Sequence, residues 1–123
     1  MDSINAKKLL NAAEKAANAM GVAKSIAITD SHGTLVAFHR MDGALPGSVD
    51  VAQRKAVTAS LFPMSTRDFG ALCRDQQLDG MLNTNGGLVG FAGGLPVPGG
   101  GAIGVSGGSA DQDEQVALEA LEA

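Results

Sequence analysis

Twelve of the seventeen glycines fall between Gly80 and Gly108, and this ribbon limits what the chain can build. Glycine inside a helix costs about 1 kcal/mol relative to alanine, so the stretch is a poor helix, and it is too apolar for a disordered linker. It predicts strands and tight turns. LVGFAG (88–93) and GAIGVSG (101–107) read as two strands, GLPVPGG as their connection and DGMLNTNGG as a loop ahead of them. Gly99, Gly101 and Gly104 also match the G-x-G-x-x-G spacing of a dinucleotide-binding loop. That loop needs a strand before it and a helix directly after it. Here Pro96 and Pro98 interrupt the upstream side, more strand comes next, and no helix is expected before about residue 110. The glycines therefore serve either close strand contact, bulges and turns, or a bare backbone on which a planar ligand rests, with amides and the Ser106 hydroxyl facing it. Asp111, Asp113 and Glu114 at the next helix start would repel a phosphate there.

The remaining elements are read from periodicity. Residues 3–20 place Ala6, Leu9, Leu10, Ala13, Ala16, Ala17 and Met20 at helical spacing, with Ser3 as N-cap and Gly21 as stop. SIAIT and TLVAFHR flank the turn DSHG as a β-hairpin. A second helix starts at Ser48, carries Val49, Ala52, Ala56 and Ala59 on one stripe, and ends at Pro63. Ser65 or Thr66 caps a short third helix, TRDFGALCRD. The last helix, from Ser109 or Asp111, presents Val116, Ala117, Ala120 and Leu121 on one face. Helices separating hairpins predict one α+β domain over 1–123, with an antiparallel sheet of about five strands flanked by helices.

Composition removes several function classes. The formal charge is −4, no Lys/Arg cluster exists, and Trp and Tyr are absent, which argues against a nucleic-acid surface. No apolar run approaches the roughly 20 residues of a membrane span, and MDSINAKKLL lacks a signal-peptide core. The expectation is a soluble, cytoplasmic protein with no membrane contact. Cys73 is alone and reads as a structural thiol.

Few residues carry chemistry. His32 lies in a turn and His39 near a strand end; without a third ligand at suitable spacing they do not make a zinc site. One imidazole still suffices as an axial ligand to haem iron. Arg40 and Asp42, in HRMDGA, form either a surface pair or a carboxylate-binding fork. Lys55 borders the alanine stripe of the second helix and is either a snorkelling cation or a functional amine. Arg67 at a helix start is unfavourable unless an anion is near.

TDSHGTLVAFHRMDGA, then AQRKAVTA, then GGLPVPGGGAIGVSGGSADQDEQVA together resemble the GlcG/HbpS family of haem-binding or haem-degrading domains over essentially the whole chain. The chain is also similar to the C-terminal domain of the propanediol-utilisation corrinoid adenosyltransferases. The resemblance implies a helix-flanked antiparallel sheet and a homo-oligomer, even-numbered and possible as an octamer, whose glycine-rich ribbon is a sheet and interface signature. It implies a small planar ligand, haem, with His39 or His32 on the iron and Arg40 or Lys55 on the propionates. The alternatives it implies are an enzyme acting on a small aromatic or hydroxy acid, lyase or mutase in type, using Arg40, Lys55 and Asp42, and a non-catalytic oligomeric accessory protein.

Overall fold

The computed structural model describes residues 1–123. Ala6, Ala13 and Ala17 form the fully buried stripe of α1 (Ser3–Met20). Asp2, rather than Ser3, caps it by accepting the Asn5 N–H, and left-handed Gly21 stops it. β1 (Ser25–Thr29) and β2 (Leu35–Arg40) then pair antiparallel. Their turn is held by Asp30, whose Oδ1 accepts the backbone N–H of His32 at 2.9 Å and of Thr34 at 3.0 Å. Those bonds, Thr34 first, pull its carboxyl below the usual aspartate range. Next in the chain are α2 (Ser48–Leu61), α3 (Thr66–Asp75) and a 3₁₀ turn (Met81–Asn83), then β3 (Gly94–Pro96), β4 (Ala102–Ser106) and α4 (Ala110–Glu122).

The fully antiparallel sheet has the order β2-β1-β4-β3, so it has four strands where about five were expected. Side-chain alternation sends Ile26, Ile28, Ile103 and Val105 to one face, against the stripes of α1 and α4. On the other face Ala27 meets Ala52 and Ala56 of α2. Beyond α2, Phe69, Cys73 and Leu88 form a small outer cluster, with the Phe62 and Phe69 rings stacked 4.8 Å apart. Cys73 is a buried free thiol.

The glycine ribbon divides its labour. Gly94, Gly104 and Ala27 stand opposite one another across β3, β4 and β1. That small-residue row lets α2 lie directly on the sheet: a Cβ at Gly104 would collide with the Ala52 carbonyl oxygen. Gly99, Gly100 and Gly101 take positive φ in the β3–β4 turn, and the chain passes from them straight into β4. The dinucleotide-loop spacing is therefore a strand–turn–strand.

LVGFAG is not a strand, and the strand falls instead on GLP within the expected connection. The reason is competition for backbone groups. Val89 N–H donates to Thr58 Oγ1 at 3.0 Å and Gly94 N–H to Thr66 Oγ1 at 2.9 Å, so helix side chains capture groups that a longer ladder would need. Pro96 is accommodated because β3 is an edge strand.

Candidate functional site

Three charged side chains meet beneath the surface. Lys24 precedes β1, and strand alternation puts it on the face of Ile26 and Ile28. Lys55 projects from α2, and Asp113 from the first turn of α4. Lys24 and Lys55 are fully buried and Asp113 is 2% exposed. Asp113 Oδ1 accepts from Lys24 Nζ at 2.7 Å and from Gly108 N at 3.0 Å, while Oδ2 accepts from Lys55 Nζ at 3.2 Å. Lys55 Nζ also donates to the Val105 carbonyl at 2.8 Å and lies 5.0 Å from the centroid of the Phe91 ring. Two ammonium groups thus share one carboxylate. Burial pushes the Lys55 ammonium below the ordinary lysine range, Asp113 works against this by its charge and hydrogen bond, and Lys24 adds to it.

The glycine at position 93 belongs to this arrangement. With φ +133, it is where a Cβ would collide with Lys55 Nζ, so the amine occupies the space a side chain would take.

His39 and Arg40 leave β2 on opposite faces. His39, paired with Ile26 in the ladder, faces α1. Its Nε2 lies 3.4 Å from Glu14 Oε1, with both side chains about two-fifths exposed. A cleft of about 270 Å³ opens there, lined by Glu14, Asn18, His39, Met41 and Asp42. Arg40 is exposed and donates from Nη2 to the Ala44 carbonyl at 3.2 Å. No ion pair joins it to Asp42, and neither residue bonds Lys55. His32 is exposed in the β1–β2 turn. The structure therefore brings His39 and Asp42 to one cleft and keeps Lys55 apart from Arg40 and Asp42. Arg67 finds its anions within the chain, on Asp111 and Glu114 of α4, which removes the hint of a ligand at that helix start.

A second concavity, about 430 Å³, lies between the start of α1, the end of α4 and the β3–β4 turn, with Leu9, Val97 and Pro98 as walls and Lys8 at its rim. At about 100° per residue, its α1 residues Asn5, Lys8, Leu9 and Ala12 occupy one flank of the helix. Glu14 and Asn18 occupy the other, so the groove and the His39 cleft are separate. No helix is long and apolar enough to cross a membrane.

Lys24 and Asp113 were not among the residues expected to matter. The signal existed for both. Lys24 shares strand parity with Ile26 and Ile28, and Asp113 extends the Val116–Ala117–Ala120 stripe one turn toward the N-terminus.

Comparison with known proteins places this geometry. A 15.0 kDa protein of Citrobacter freundii encoded between dhaT and dhaS is 36% identical over 95% of this chain and 87% of its own length. The corrinoid adenosyltransferase PduO of Salmonella typhimurium is 32% identical over 94% of this chain, which spans only 36% of that enzyme. Among solved structures, Klebsiella pneumoniae ORFY superposes with a TM-score of 0.93 at 33% identity, covering 99% of this chain and 88% of its own. The PduOC:haem complex superposes with a TM-score of 0.91 at 30% identity, covering 99% and 93%. HbpS gives 0.90 at 32%, covering 99% and 88%. The family model described as haem degrading protein HbpS-like matches residues 1–122, and the chain is a member of the HbpS-like family.

Proposed function

We propose that the protein binds haem, with His39 as the axial ligand to iron. The observation that carries the reading is the likeness, over 99% of this chain, to a relative whose solved structure is a haem complex. Of the two imidazoles, His39 has the better setting. A carboxylate beside one ring nitrogen favours the proton there and leaves the other nitrogen's lone pair for a metal; Glu14 occupies that position. His32 stands in an exposed turn with nothing to orient it beyond the backbone.

The donor set fits the iron better than it fits the macrocycle. Met41 is the one apolar residue lining the His39 cleft, whereas most haem affinity comes from covering the ring. The cover on our reading is a second copy of the chain, set across the open edge of β2. That strand has no partner on its outer side, and Ala37, on the same face of it as His39, is half-buried. Haem bound this way would supply redox and oxygen chemistry, while the chain's own contribution is to position the imidazole through Glu14 and to exclude water from the ring.

Haemin titration followed in the Soret band tests the reading. Wild type and His32→Ala are expected to give a shifted band saturating near one equivalent per chain, Glu14→Gln a weaker titration, and His39→Ala none. A His39→Ala variant that titrates like wild type would overturn the assignment.

A further inference from the structure

We propose that Lys55 is a carbonyl-capturing amine that forms an imine with small anionic aldehydes or 2-oxo acids, admitted when the Phe91 ring moves aside. This role is independent of haem binding and uses groups the haem reading leaves idle.

Three observations support it. The first is charge. Lys24 and Lys55 bring two positive charges to the one carboxylate of Asp113, and in a buried site the unneutralised charge favours a ligand carrying a negative one. A purely structural tie would be served by one lysine. The second is the amine's environment. Two of its N–H groups are directed at Val105 O and Asp113 Oδ2, and the Phe91 ring covers its remaining side. The third is access. That ring is itself 51% exposed, and it follows Gly90 in the irregular segment between Leu88 and Gly93. Phe91 thus reaches from the surface to within 5.0 Å of Lys55 Nζ on a backbone that neither helix nor strand holds.

The chemistry closes without an outside reagent. The Lys55 ammonium passes a proton to Asp113 Oδ2, and the freed lone pair adds to the carbonyl carbon. A second nitrogen proton moves to the resulting alkoxide. Asp113 then returns its proton as the hydroxyl leaves as water, and the C=N bond forms. Ammonium plus carbonyl gives protonated imine plus water, so the positive charge is conserved and Asp113 remains its counterion. Burial, which already disfavours the charged amine, works in the same direction.

The test treats the folded full chain with glyoxylate and cyanoborohydride and maps the carboxymethylated lysines by peptide mass spectrometry. Lys55 is expected to be modified ahead of the exposed Lys7 and Lys15, and Phe91→Ala should raise its rate severalfold while leaving theirs unchanged. Acetaldehyde should show no preference for Lys55 over the surface lysines. Lys55 unmodified in folded wild type, while Lys7 and Lys15 react, overturns the proposal whatever Phe91→Ala does. An equal preference for acetaldehyde overturns its anionic part.

Discussion

Replacing Asp113 by asparagine should cost far more stability than replacing Lys55 by methionine, although both remove a charge from the same cluster. The Asp113→Asn side chain would keep the shape of the carboxylate and an oxygen for Gly108 N–H, but it would leave two fully buried ammonium groups without a counter-charge. Removing one partner of a buried ion pair costs about 3–5 kcal/mol, and here two pairs fail together. For a domain of this size each kcal/mol moves Tm by roughly 3–5 °C, so Asp113→Asn should melt about 10–20 °C below wild type. Lys55→Met retains an unbranched stem, leaves a one-to-one Lys24–Asp113 pair and relieves a like-charge contact. It forfeits the bond to Val105 O, worth about 1 kcal/mol, so its net effect should lie within about 1 kcal/mol of zero. Urea unfolding at pH 7, with thermal melts, measures both. If Lys55→Met loses as much as Asp113→Asn, the picture of two cations competing for one carboxylate is wrong.

Three further outcomes are expected from the same structure. Gly104→Ala should destabilise by about 1–3 kcal/mol or more in denaturant unfolding, because the new Cβ would collide with the Ala52 carbonyl; an unchanged midpoint would mean that α2 does not rest on β4. Because the Lys55 amine loses its proton more readily folded than unfolded, the unfolded chain binds more protons between that lowered value and the ordinary 10.5, and stability from this group rises with pH across that window. Wild type should therefore gain on Lys55→Met in paired urea titrations as pH climbs toward 10.5, and a difference flat in pH would contradict the burial penalty. Thr66→Val should loosen β3, since it removes the acceptor of Gly94 N–H, at a cost of about 1–3 kcal/mol for the buried donor left unpaired; amide exchange at Gly94 reports it.

The helices and the first hairpin are legible because their signals are local: alanine stripes at three and four spacing, an Asx turn at Asp30, and Ser65 and Ser109 as caps. The second hairpin is not, because its register depends on distant hydroxyls. Thr58 and Thr66 take the backbone N–H groups of Val89 and Gly94, and nothing within residues 88–94 announces this. The buried cluster is half legible. Sequence reasoning sets Lys55 beside the alanine stripe, yet position 55 lies three after Ala52 and four before Ala59, within the stripe itself. Asp113 reads as a first-turn helix acid, which it also is. A charged residue at a stripe position carries no sign of its partner, and only the fold brings Lys24, eighty-nine residues away, onto Asp113.

The most direct test of haem binding through His39 uses the fact that the chain has only two histidines. Titrating ¹⁵N-histidine-labelled protein with zinc protoporphyrin, a diamagnetic stand-in for haem, and following both imidazoles by NMR separates them without mutation. Ligation by His39 predicts a large ring-current shift of its resonances with those of His32 unmoved; movement of His32 alone, or of neither, would contradict it.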